Sequence, residues 1–195
     1  MDNATQEKLF AAAIPLFAKK GYAAVSIREI AKAADINVSS ISYYFRGKEG
    51  LYHAIIESHV ATIAKAVLSA ESLSPEERLR NYAKAISEVH TKKPYVARFV
   101  QSELVNPTSA MDKILKKNLF SFYRYLNKAI QDGIDTGLFR SDVNVHHAAL
   151  SLAGILNFYF IAKPLFRDFL DTSLNADADY VEQALDIYLE GIRRK

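Results

Sequence analysis

Between residues 38 and 45 the chain reads VSSISYYF. Three serines and two adjacent tyrosines stand in eight positions, with only Val38, Ile41 and Phe45 plainly apolar. On a helix starting at Val38, Ile41 and Phe45 lie one turn apart and face inward. Ser39, Ser40, Ser42 and Tyr43 then lie largely outward. Short hydroxyls let a helix approach a polar surface closely, and they bond phosphate oxygens or several base edges. Tyr43 and Tyr44 add phenolic groups at the helix end. Lys48 stands at the start of the next helix, where backbone N–H groups and the dipole also favour an anion. Arg28, near the start of the preceding helix, has the reach for a base edge or a phosphate. The plain alternative is a solvated face with amphipathic tyrosines. The complete arrangement favours the polyanion reading.

The elements that must hold these groups are short. Residues 5–20 place Leu9, Phe10, Ala13, Ile14 and Phe17 on one helical face. Pro15 falls inside that run, which predicts a kink or a later start. Gly21 follows two lysines, a helix stop. Ser26 with Glu29 three residues on is a capping-box pattern and predicts a helix over about 27–34. Asn37 is a good N-cap for a helix over about 38–44. Gly47 ends that unit, and a long helix is expected over about 48–70. Two short helices joined by a three- or four-residue turn make a helix-turn-helix pattern over about 26–45.

The rest of the chain is also helical by pattern. Ser74-Pro75-Glu76-Glu77 supplies an N-cap, a proline at N1 and first-turn acids for a helix to about His90. Further helices are expected over about 94–105, 109–135, 145–162 and 177–191. No strand alternation of useful length, repeat or low-complexity tract interrupts them. The expected fold is all-α: three N-terminal helices in residues 1–50, then about six helices in residues 51–195.

The totals agree with this. The chain has 195 residues, half of them hydrophobic and 24% charged, which is a globular composition. A net charge of +3 is compatible with a polyanion partner without demanding one. There is no cysteine, hence no disulfide framework or thiolate metal site. The first ten residues lack a basic stretch followed by an apolar run, so no signal peptide is expected, and the cytoplasm is the expected location. The apolar stretch 148–162 is too short for a bilayer and contains Asn157. It predicts a buried helix or a subunit interface rather than a membrane partner.

Other residues have side chains capable of chemistry. His53 and His59 are six apart and do not share a face as metal ligands would; His146 and His147 are adjacent and point apart. A metal site using His59 and His90 is set against ordinary surface or pocket histidines, and no metal or other cofactor is expected. Arg98, Glu103, Tyr123, Asn157 and Tyr159 are polar or amphipathic groups within apolar helices. They are the candidates for a small-molecule pocket, against caps and core hydrogen bonds. No nucleophile elbow, P-loop, dinucleotide fingerprint or metalloprotease motif occurs, so an enzyme is not expected. A helical small-molecule-binding or interaction module without DNA function is the remaining alternative.

Residues 10–57 resemble the DNA-binding domain of the TetR family of transcriptional regulators. The matching residues are Phe17, Gly21-Tyr22, Ser26-Ile27-Arg28-Glu29-Ile30-Ala31, Ala34, Ile36, Ile41, Tyr43-Tyr44-Phe45 and Lys48-Glu49-Gly50-Leu51. The family usually has glycine where Asp35 stands, and often tyrosine where Ser42 stands. Aspartate tolerates the left-handed backbone, so an intact turn is expected. Serine at 42 takes a large group off the reading surface.

The resemblance implies a ligand-responsive repressor, with activator or co-repressor action as alternatives. Its DNA contacts are expected from Ser26, Arg28, Asn37, Ser39, Ser40, Ser42, Tyr43, Tyr44 and Lys48. One short recognition helix reads few bases, so a homodimer on a palindromic operator is expected, with recognition helices about 34–36 Å apart. The dimer candidates are Leu150, Ala153, Leu156 and Phe160 on one helix and Val181, Leu185 and Tyr188 on the last, against an intramolecular core. A small-molecule effector would act through the long helix that starts at Lys48.

Overall fold

The computed structural model describes residues 3–68, 72–170, 173 and 175–194. Among them are nine α-helices: α1 (Asn3–Ala24), α2 (Ile27–Ala34), α3 (Val38–Phe45), α4 (Lys48–Leu68), α5 (Pro75–Lys92), α6 (Tyr95–Val105), α7 (Lys116–Asp135), α8 (Val145–Phe166) and α9 (Ala176–Ile192). The expected end of α4 at residue 70 falls outside the described residues. An isolated antiparallel bridge joins Phe139 to Arg193.

Three boundaries differ from the sequence expectation. Pro15 neither ends nor delays α1, which begins at Asn3. Its ring is exposed, and proline forfeits only its own N–H bond when its ring has room. The break falls instead at Gly21, whose φ of 78° is open to glycine at little cost. A π-helical turn, Met111–Leu115, separates the helical residues 109–110 from α7 in the helix expected from residue 109. Pro164 also sits inside its helix, so α8 continues to Phe166. At 22 residues α8 is long and apolar enough, by length and composition alone, to cross a bilayer, which corrects the reading of 148–162 as too short. Here it packs on α5 and α9.

By contact density the chain forms two compact units. The first joins the segment ending at Ala61 to Arg98–Lys116; the second holds Thr62–Ala97 and the segment from Lys117 onward. In the first, Leu9, Ala13, Ile30, Ile41, Leu51 and Ile55 are wholly buried. Tyr52 stands among Phe17, Tyr22 and Phe99 with ring centroids 5.0, 4.7 and 5.8 Å away. Its hydroxyl donates to Glu103 Oε1 at 2.9 Å. Glu103 also accepts from the Thr108 N–H and hydroxyl, so a buried carboxylate is satisfied without a cation. In the second unit α5, α8 and α9 pack together around Leu79, Leu152, Leu156 and Leu189. Phe139 is buried against Gly133, where any Cβ would lie 2.1 Å from its ring.

Candidate nucleic-acid interface

α2 and α3 are each fixed by a side-chain cap at the N-terminus and a left-handed residue at the C-terminus. Ser26 caps α2: its Oγ accepts from Glu29 N–H at 3.2 Å. The Lys20 ammonium, 2.5 Å from Glu29, holds that carboxyl below its ordinary range, with a smaller contribution from the Ser26 backbone. α2 stops at Asp35, which takes the left-handed conformation (φ 53°, ψ 49°). Ile36 N–H then returns to the Ala31 carbonyl at 3.0 Å, closing the turn. Aspartate thus does what glycine was expected to do, and the turn is intact.

Asn37 caps α3 through Oδ1, which accepts from the Ser39 N–H at 2.9 Å and the Ser39 hydroxyl at 2.8 Å. The helix is seated by Ile41, wholly buried, and by Phe45, whose ring centroid lies 5.6 Å from that of Phe10. The opposite face is open. Ser39, Ser42 and Tyr43 are exposed and Ser40 is half-buried. Tyr43 is 81% exposed, with its ring edge-on to half-buried Tyr44 at 5.0 Å.

One basic residue sits differently from the expectation, and a second carries no expectation from the sequence. Lys48 is directed inward. Its ammonium donates to the carbonyls of Tyr22 (3.0 Å) and Val25 (2.9 Å) and lies 4.3 Å from the centre of the Tyr22 ring. Those carbonyls close the end of α1, so the lysine ties α1 to the start of α4. Arg46, passed over in the sequence, ends α3 in a left-handed conformation (φ 62°) and is exposed. Neither it nor exposed Arg28 makes an ion pair among the described residues. In the sequence Arg46 is the first cation after the hydroxyl-rich helix, while Lys48 stands at a helix start, the stronger local signal for an anion. The groups facing outward are therefore hydroxyls flanked by two free guanidiniums, a set suited to phosphate and base edges.

The pocket candidates are divided between the two units. Arg98 is exposed, and Glu103 is used up by Tyr52 and Thr108 in the first unit. In the second, Tyr123 meets His146 Nδ1 at 2.7 Å. Asn157 bonds His90, and Tyr159 donates to Asp177 at 2.9 Å. Of the other histidines weighed, His59 is buried beside Ser58 and Phe99.

The dimer candidates divide too. Leu150 is exposed and Ala153 and Phe160 are half-buried, but Leu156, Val181, Leu185 and Tyr188 are buried within the chain's own core. Their helical spacing was correct, but periodicity marks a buried face without saying what buries it. The outward large apolar residues are Leu150, Ile155, Phe158, Leu165 and Phe166 on α8 and Ile187 on α9.

The sequence pattern described as "Bacterial regulatory proteins, tetR family" matches residues 9–55, and "Tetracyclin repressor-like, C-terminal domain" matches residues 75–186, more than half of the chain. The chain belongs to the TetR family. It is a helix-turn-helix transcriptional regulator of the all-α TetR type. It is 29% identical to the HTH-type transcriptional repressor NicS of Pseudomonas putida, over 97% of this chain and 93% of that one. Its fold is that of the ketosteroid transcriptional regulator KstR2 of Mycobacterium tuberculosis, with TM-score 0.81 at 19% identity over 100% and 98% of the two chains. AibR, solved in complex with isovaleryl coenzyme A and operator DNA, has the same fold, with TM-score 0.77 at 18% identity over 94% and 97%. Members of the TetR family bind operator DNA, act as dimers and respond to ligands.

Proposed function

We propose that this TetR regulator is a cytoplasmic repressor that binds a palindromic operator as a homodimer and releases it when a small molecule binds its C-terminal part. The observation that carries the reading is α3, an exposed hydroxyl face held rigidly by the Asn37 cap and the Asp35 turn. Ser40, Ser42 and Tyr43 meet base edges or phosphates, and Ser39 is held ready by Asn37. Arg28 and Arg46 neutralise phosphates on either side.

The second copy docks through α8 and α9, where Leu150, Phe158 and Ile187 present apolar surface outward. NicS is named a repressor and AibR was solved with both a coenzyme A ester and DNA, which supports the ligand-responsive reading. A ligand that prefers a different spacing of the recognition helices lowers DNA affinity by linkage. No catalytic step and no cofactor enters this reading.

The test is selection of fragmented genomic DNA by the purified protein at moderate salt. Recovery of a few fragments sharing an inverted repeat is the expected result. Recovery of unrelated fragments alone would sink the operator reading.

A further inference from the structure

Three buried side-chain atoms among the described residues have no hydrogen-bond partner: Arg78 Nε, His90 Nδ1 and Asn127 Oδ1. Arg78 is otherwise paired with Asp132 at 2.6 Å, and Asn127 donates to the Tyr123 carbonyl at 2.8 Å on its own helix. His90 differs in its surroundings. It is 4% exposed, and α8 and α9 supply polar and aromatic groups around it.

The proton on His90 can be placed. Asn157 donates its amide to the Ala153 carbonyl at 2.8 Å, which turns its Oδ1 towards His90 Nε2 at 3.1 Å. Nε2 must therefore carry the hydrogen. Burial, the largest influence on His90, lowers its pKa and favours the neutral ring. Nδ1 is then a bare acceptor with nothing to accept from.

An aromatic ladder leads to this atom. The His90 ring stacks on Phe160 at 4.5 Å, Phe160 lies edge-on to Tyr159 at 5.0 Å, and Tyr159 stacks on Tyr180 at 3.8 Å. Tyr159 and Tyr180 also wall a cleft of about 350 Å³ together with Leu170, Ala176, Asp179 and Gln183; His90 and Phe160 do not line it. The charges nearby disfavour an anion. Asp177 is near enough to His90 to act on its charge, and Lys163 is already paired with that aspartate.

We propose that His90 Nδ1 is the polar anchor of the effector site, and that the effector is a flat, uncharged aromatic molecule carrying an O–H or N–H donor. This rests on the reading of the chain as a ligand-responsive regulator. The ring slides along the Phe160–Tyr159 ladder and its donor satisfies Nδ1. A molecule of the same shape without the donor leaves the acceptor buried and bare, which costs affinity.

The experiment uses matched probes on the full-length protein without DNA. Phenol and indole are compared with anisole and 1-methylindole by calorimetry, with the ring nitrogens of His90 followed by NMR. Phenol and indole are expected to bind about tenfold tighter than their methylated counterparts and to move the Nδ1 resonance. His90→Phe is expected to erase that preference while keeping the methylated probes bound. Equal affinity within each pair, no binding, an unmoved Nδ1 resonance, or tighter binding of benzoate than of phenol overturns the proposal. The NMR reading on the unaltered protein decides the matter even where the variant does not fold. A separate titration of the protein–operator complex with indole tests regulation: donor preference with unchanged DNA affinity would retain the subsite and remove its regulatory role.

Discussion

The ammonium of Lys48 lies 2.9 Å from the carbonyl oxygen of Val25, pinning the end of the first helix to the start of the fourth. A lysine expected to bind a phosphate is thereby a strut. Its loss should act on stability first. Lys48→Met is expected to cost about 1–2 kcal/mol in denaturant unfolding, because two carbonyls lose a charged donor. It should also weaken DNA binding by a similar factor at every salt concentration. A reduced salt slope would return Lys48 to the phosphates.

Arg46 should behave in the opposite way. Arg46→Ala is expected to leave the unfolding midpoint nearly unchanged, since the side chain is exposed and makes no ion pair. The slope of log K against log salt should become shallower by about 0.9 per subunit. Fluorescence anisotropy across a salt series measures this, and an unaltered slope would remove Arg46 from the interface.

Asp35 holds a left-handed backbone between the two reading helices. A β-branched residue pays heavily there. Asp35→Val is expected to destabilise the protein by about 1–2 kcal/mol and to lower operator affinity, while Asp35→Gly retains both. Equal stability of the valine and glycine variants would show that the turn had rearranged.

Phe158 is 65% exposed on α8, and Ile187 is 69% exposed on α9. Phe158→Glu is expected to yield monomers in light scattering and to weaken operator binding by about a hundredfold or more, since a paired reader loses half its contacts. A dimer of undiminished stability would place the interface elsewhere.

His90 gives a pH dependence of definite sign. Its folded-state pKa lies below 6.5, mainly through burial. The unfolded chain therefore takes up a proton first as pH falls. Stability is complete above about 6.5 and is lost as pH drops from there through the folded pKa. His90→Phe should flatten this part of the profile. Asp132, held low chiefly by Arg78, and Glu76, held low chiefly by Arg193, lose their contributions only in the carboxylate range, so the two windows separate. A profile between about pH 5 and 7 that is the same with and without the histidine would contradict the assignment.

The reading helices were legible because their signals are local. Ser26, Asn37 and the left-handed Asp35 act within a few residues of themselves, and each acts as its type suggests. The inward bonds of Lys48 were not legible because its partners, Tyr22 and Val25, lie more than twenty positions away. The same limit applies to Leu156, Val181, Leu185 and Tyr188. Periodicity identified a buried face, but whether this chain or a second copy covers it depends on how α5, α8 and α9 meet. Glu103 looked like a pocket residue because an acid in an apolar helix needs a partner. Its partner is Tyr52, fifty-one residues earlier. His90 entered only as a doubtful metal ligand, since its orphaned nitrogen exists only once Asn157 is placed.

The reading head is not one continuous stretch of chain. Residues 98–116 belong to the same compact unit as α1–α3, joined through Tyr52, Glu103 and Thr108 and through Glu49 with Ser109 and Lys113. Exchange of operator preference between relatives by swapping genes at a single point near residue 50 would therefore sever a core. A functional chimaera needs two inserts, one for the helix-turn-helix and one for the segment that closes beneath it. Recombination that respects only the first would strand a buried tyrosine opposite a foreign partner.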